Sequence, residues 1–210
     1  MGAEEGGCCR CCFSFIFTSG LTALFLWLNL KTTNPTCSIE NFDVFTLNKT
    51  ANTTFRNNHT IRYDLKLNNK ENKDKGIYYD TLNLTFYYKP NLSFVTLGNA
   101  TFNPFYQGHG KNTHRISVID ARGVKWENAT ATMAEFRVEM NTSVRFKIIF
   151  WKTKRHRLDL HADLLVNEQG ILVKKKKKKG IKFKSGVWNS KVCNFYLLGI
   201  LGIFTYILLW

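Results

Sequence analysis

The chain has 210 residues and a formal charge of +15, from 30 Lys and Arg against 15 Asp and Glu. That length allows one ordinary domain once the terminal segments are set aside, and so basic a surface seeks polyanions: anionic lipid, acidic polysaccharide or nucleic acid. Four of the six cysteines crowd into Cys8, Cys9, Cys11 and Cys12, which leaves Cys37 and Cys193 and excludes a disulfide framework.

In chain order, residues 1–12 are a tail too short to fold. Cys8/Cys11 and Cys9/Cys12 have the spacing of zinc ligands, but ligands this crowded do not easily wrap one tetrahedral ion. Juxtamembrane cysteines facing the cytosol are ordinary thioester acylation sites, so Cys8, Cys9, Cys11 and Cys12 are the acylation candidates. Residues 13–30 then run for eighteen positions without a charge. As a helix rising about 1.5 Å per residue, such a stretch comes close to the ~30 Å hydrocarbon core of a bilayer. A cleavable signal peptide has a shorter apolar region, a basic start and a small-x-small site. Here Glu4, Glu5 and Arg10 precede the stretch and Lys31-Thr32-Thr33-Asn34-Pro35 follows it, so the pattern predicts an uncleaved transmembrane signal anchor.

Two signals compete over the side of the membrane. The positive-inside rule draws the basic residues toward the cytosol, but it counts short loops and tolerates long translocated domains. Against it stand eight Asn-x-Ser/Thr triplets, at Asn48, Asn52, Asn58, Asn83, Asn91, Asn99, Asn128 and Asn141. Chance would supply roughly three in this composition. They are the expected N-glycosylation sites. They place the main domain in the secretory lumen, hence outside the cell, where nucleic acid is no partner.

Residues 37–184 carry the period of strands. Ile61, Tyr63, Leu65 and Leu67 alternate with polar residues, as do Leu82, Leu84, Phe86 and Tyr88, then Val144, Phe146, Ile148 and Phe150, then Leu158, Leu160, Ala162, Leu164 and Val166. Loops are expected over residues 68–73 and at Arg155-His156, and a turn at His109. About seven strands without a convincing helix predict an all-β fold, an antiparallel β-sandwich. Asn83 lies between Leu82 and Leu84, so its side chain is expected on the solvent face.

Residues 174–184 are a basic run that begins with Lys174, Lys175, Lys176, Lys177, Lys178 and Lys179. Such runs are ordinarily solvated and extended; outside a cell this one is the candidate contact with acidic wall polysaccharide or anionic head groups. Residues 195–210 are again free of charge. A polar spacer before a hydrophobic tail of this length matches a glycolipid attachment signal, with Ser185, Gly186, Asn189 and Ser190 as candidate sites. A second, short membrane span is the equal alternative.

No enzyme signature stands out: there is no Gly-x-Ser-x-Gly, no His-Glu-x-x-His and no phosphate-binding glycine loop. His156, Asp159, His161 and Asp163 could ligate a metal, but such residues on a strand are more often plain surface. A non-enzymatic protein with no cofactor and no metal is expected.

These residues together resemble a known group. The start, CCRCCFSFIFTSGLTALFLWLNL followed by Cys37-Ser38-Ile39, carries the resemblance, with Lys73-Asp74-Lys75-Gly76-Ile77-Tyr78-Tyr79-Asp80, Phe105-Tyr106-Gln107-Gly108-His109 and VRFKIIFWKTKR from Val144. The chain is similar to the plant harpin-induced-like family, which has a late-embryogenesis-abundant type 2 domain and includes the non-race-specific disease resistance proteins. The resemblance implies a plasma-membrane protein of plant immunity supporting resistance through coiled-coil-type intracellular receptors. It also implies an extracellular glycosylated sandwich, a glycolipid anchor, contact with the wall, and a cytosolic membrane-anchored immune regulator as partner of residues 1–12; a homo-oligomer stays open. A membrane-tethered dehydration-protective or lipid-binding domain without an immune role is the alternative. The chain departs from the family pattern at Lys70-Glu71-Asn72, where Asn-Pro-Asn is usual. It departs at Leu65 and Leu67, on a strand that usually holds a cysteine partner for Cys37, and at Asn167-Glu168-Gln169, where an Asn-Gly-Asp adhesion tripeptide is expected.

Overall fold

The computed structural model describes residues 6–48, 59–90, 93–122, 126, 133–148, 150–174 and 179–185. Its one helix among these, α1 (Gly6–Leu30), leads into twelve strands: β1 (Thr36–Val44), β2 (Thr60–Asn68), β3 (Gly76–Tyr79), β4 (Leu82–Lys89), β5 (Val95–Phe102), β6 (Phe105–Gln107), β7 (Asn112–Asp120), β8 (Met133–Ile148), β9 (Trp151–Lys152), β10 (His156–Asn167), β11 (Ile181–Lys182) and β12 (Lys184–Ser185).

Within α1 the hydroxyls are turned inward. Thr18 Oγ1 donates to Ser14 O at 2.9 Å and Thr22 Oγ1 to Thr18 O at 2.8 Å, which satisfies polar groups without water. Phe13, Phe15, Phe17, Leu21, Leu24, Phe25 and Trp27 are all exposed. Among the described side chains no helix is long and apolar enough to cross a membrane; in α1 those side chains run over residues 12–25 and Trp27.

The strands form two antiparallel sheets face to face. One has the order β11-β1-β2-β7. The other is built on the long strand β8, which pairs with β10 along one side and with β4 and then β3 along the other; β5, β6 and β12 lie further out. The alternating apolar residues meet between the sheets, as expected of strands with one buried face. Phe42, Tyr63, Phe86 and Phe136 make the aromatic centre, with Tyr63 and Phe86 ring centroids 4.8 Å apart and Phe42 and Phe136 5.3 Å apart.

The expected strand faces hold for β2, β4, β8 and β10, with two differences. Phe150 does not continue the buried face of β8: it sits in the turn before β9 and is 94 % exposed. The turn expected at Arg155-His156 falls earlier, since His156 already pairs with Val144. In β1 a bulge makes Glu40 an extra residue between Ile39 and Asn41, so the buried face switches from Cys37 and Ile39 to Phe42 and Val44.

One end of the sandwich receives the chain from α1. There Asn69 Nδ2 donates to Lys75 O at 2.8 Å and to Gly108 O at 3.2 Å, so the β2–β3 and β6–β7 loops are tied together. Gln107 Nε2 donates to Leu67 O and Lys111 O, and Tyr79 Oη donates to Gln107 Oε1 at 2.9 Å. Asn72 joins this network to Thr33, three residues beyond α1. The strand β11–β12 closes one side of the sandwich. Its first half pairs with β1 in one sheet and its second half with β10 in the other, with Phe183 N–H donating to Cys37 O between them.

Candidate functional site

Three surfaces gather the residues singled out in the sequence. The first is the outer face of β4, β5 and β8. Asn83 is exposed while Leu82 and Leu84 are fully buried, as the alternation implied. Asn141 of β8 stands directly across from Asn83, and Asn99 of β5 directly across from Thr85 two residues along. All three asparagines are exposed on neighbouring strands of one face. Thr101, the hydroxyl residue of the Asn99 triplet, donates to Asn83 Oδ1 at 3.1 Å. Asn48 is half-buried after the 3₁₀ turn Phe45–Leu47. Asn52, Asn58, Asn91 and Asn128 lie outside the described residues.

The second surface is the basic run. Its start is held to β1, where Lys174 Nζ donates to Asn41 Oδ1 at 3.0 Å. Its end enters β11, and Gly180 passes so close to β1 that a Cβ there would lie 2.6 Å from Ile39 O. Lys182 and Lys184, which the charge pattern assigned to the same solvated run, are strand residues of β11 and β12 with exposed side chains. The run is therefore bracketed by β-structure on both sides rather than trailing from the sandwich. Lys175, Lys176, Lys177 and Lys178 are outside the described residues. So are Gly186, Asn189 and Ser190; Ser185 is exposed and pairs with Leu160.

Beside this run the bulge aims Glu40 at Lys66, whose Nζ is 2.6 Å from Glu40 Oε1. Burial raises the Glu40 pKa, but the hydrogen bond and charge of Lys66, with His114 and Lys179, outweigh it and hold the carboxyl below its usual range. Asp64, buried on the outer face, meets His114 Nδ1 at 3.0 Å. Ligand atoms of Glu40, Asp64 and His114 lie within 4.8 Å of one another, the one such group among the described residues. The Lys66 ammonium already occupies Glu40. Sequence reading missed this cluster because it spans β1, β2 and β7. In the His156 and His161 region both aspartates already hold arginine partners: Arg157 pairs with Asp159 at 2.8 Å and Arg137 with Asp163 at 2.7 Å.

The third is the cysteine tail. Cys12 has an exposed free thiol on α1; the side chains of Cys8, Cys9 and Cys11 are outside the described set. Cys37 is free and buried, and burial pushes its thiol up to about 12. Its direct cross-strand neighbour is Leu67, one of the two residues on the strand that in the family pattern usually holds a cysteine partner. Asn167-Glu168-Gln169 forms a tight turn. The Asn167 side chain accepts from the Gln169 and Ile171 N–H groups, and Gly170, at φ +74°, packs on Val44 O. That use of Asn167 is structural.

The fold and surfaces define a class: a basic, all-β sandwich led by an apolar helix, with no assembled catalytic constellation among the described residues. No profile of a known protein family matches the chain. Protein NDR1 of Arabidopsis thaliana is 45% identical over 190 residues, which cover 86% of this chain and 84% of that protein. NDR1/HIN1-like protein 26 of the same plant is 27% identical over 165 residues, 73% of this chain and 75% of its own length. The chain belongs to the NDR1/HIN1-like family.

Proposed function

We propose that the chain is a plasma-membrane protein of plant immunity that supports disease resistance through intracellular receptors. In this reading α1 spans the membrane, the acylated tail meets a membrane-anchored immune regulator in the cytosol, and the glycosylated sandwich stands outside, adhering to the wall through its basic run. The observation that carries the reading is the 45% identity with NDR1 across most of both chains. What favours this topology is strand direction: β1 enters from one end of the sandwich, and β12, the last described strand, runs antiparallel to β10 toward that same end.

The experiment is removal of the protein from the plant. Resistance through coiled-coil-type receptors is expected to fail while drought tolerance stays normal. Intact resistance with lost drought tolerance would instead select the dehydration-protective or lipid-binding alternative.

A further inference from the structure

Among the described residues, the hairpin that joins β8 to β9 carries the most exposed aromatic residues of the sandwich. Phe150 is 94 % exposed and the adjacent Trp151 is 53 % exposed. A Phe-Trp pair on a two-stranded tip is costly to leave in water. The tip is flanked by Lys147 and Lys152, paired across the hairpin and both exposed, with Lys152 Nζ 4.1 Å above the Tyr78 ring.

The position of this hairpin is settled by register. Gly76 of β3 pairs with Lys147 of β8, so the tip projects from the end of the sandwich where β3 begins. That is the end where Asn69 ties the β2–β3 loop to Gly108, and where Asn72 holds Thr33. Only Lys31 and Thr32 separate Thr33 from Leu30, the last residue of α1. The same end exposes Lys31, Lys70, Lys73 and Lys111 against Glu71 and Asp74. An aromatic tip with lysines beside it, next to the root of an apolar helix, has the composition of a membrane–water interface contact. Aromatic rings favour the head-group level, and ammonium groups favour anionic lipid phosphates and carboxylates.

We infer that the β8–β9 hairpin is a second membrane contact: Phe150 and Trp151 insert at the lipid head-group boundary, with Lys147 and Lys152 on anionic head groups. The inference rests on reading α1 as the membrane span. With Thr33 clamped by Asn72, helix and hairpin hold the sandwich at two points. The domain then has one fixed orientation on the bilayer instead of pivoting on a linker, with the sequon face of β4, β5 and β8 and the basic run kept at set heights.

The test uses the full chain in nanodiscs of phosphatidylcholine with phosphatidylserine, and reads tryptophan quenching by lipids brominated on the acyl chain. One version keeps Trp151 and replaces Trp27, Trp126, Trp188 and Trp210 by Phe. A second keeps only Trp27. A third has Phe at all five positions and a new tryptophan from Arg122→Trp, beyond the far end of β7. Trp151 is expected to be quenched, the tryptophan at position 122 not. Phe150→Ser, at an exposed site that folding does not need, should cut the quenching of Trp151 by about half or more. Trp151 quenched no more than the position-122 reporter overturns the hairpin contact. Trp27 reports separately: if it alone escapes quenching, the span reading fails while the hairpin contact stands.

Discussion

Asn72 grips the peptide of Thr33 from both sides: the Thr33 N–H donates to Asn72 Oδ1 at 3.0 Å, and Asn72 Nδ2 donates to Thr33 O at 2.7 Å. Asn72 is itself buried and its Nδ2 also donates to Asn69 Oδ1 at 2.8 Å. Asn72→Ala removes three hydrogen bonds and orphans groups in a partly buried network. A loss of about 1–3 kcal/mol is expected. Amide exchange at Thr33 should rise sharply in the variant while amides in the middle of β8 stay protected. A Thr33 amide as slow as in the parent would show that something else holds the linker.

The Glu40–Lys66 pair makes part of the stability acid-sensitive. Glu40 has a folded pKa below its unfolded value, so its contribution is present above the unfolded pKa of about 4.3 and is lost as pH falls through the folded pKa. Glu40→Gln should lower the melting temperature near neutral pH and narrow the gap to the parent as the solution is acidified. Parallel melting curves across that range would remove the pair from the account.

Glycan chemistry tests which side of the membrane the sandwich occupies. Protein from plant cells is expected to lose substantial mass on treatment with an N-glycosidase. Changing Asn83, Asn99 and Asn141 to Gln should reduce that loss without unfolding, because all three are exposed. Since Asn83 and Asn141 face each other across one ladder, each single variant also shows whether both carry a glycan at once. An unshifted band for the parent would overturn the topology.

Replacing Lys174, Lys175, Lys176, Lys177, Lys178 and Lys179 by Gln keeps the loop length between its two attachments to β1. The sandwich should fold normally, apart from the lost Lys174–Asn41 hydrogen bond and the lost positive charge of Lys179 near Glu40. Retention of the full chain on polygalacturonate should fall and lose its salt dependence, because Debye screening tightens from ~10 Å at 0.1 M to ~3 Å at 1 M salt. Unchanged retention would make the run a spacer and move adhesion to another face.

The thiols should separate cleanly by environment. Cys37, buried and pushed up to about 12, is expected to resist alkylation near neutral pH until the sandwich unfolds. An acyl-exchange assay should detect thioesters that vanish when Cys8, Cys9, Cys11 and Cys12 are changed to Ser, with membrane insertion retained. Signal surviving that change would place the acyl group elsewhere.

The sequence by itself determined the strand-bearing region, the buried faces of β2, β4, β8 and β10, and the outward aim of Asn83. Each follows from period-two alternation, a local property readable wherever one face is apolar and the other polar. Tertiary structure decided the rest. β1 hides its alternation behind the Glu40 bulge. β7 inverts the expected chemistry: Ile116 and Val118 face solvent, while Arg115 is less exposed and lies 4.4 Å over the Phe105 ring. Two residues of the basic run became β11, because an edge of β1 was free to pair. Phe150 left the core because the chain turns there. The pairing of Asn83 with Asn141, the Glu40–Asp64–His114 group and the convergence of Thr33 with Lys147 at one end join residues tens of positions apart. No local pattern records them: they follow from strand register, which the packed sheets set against each other.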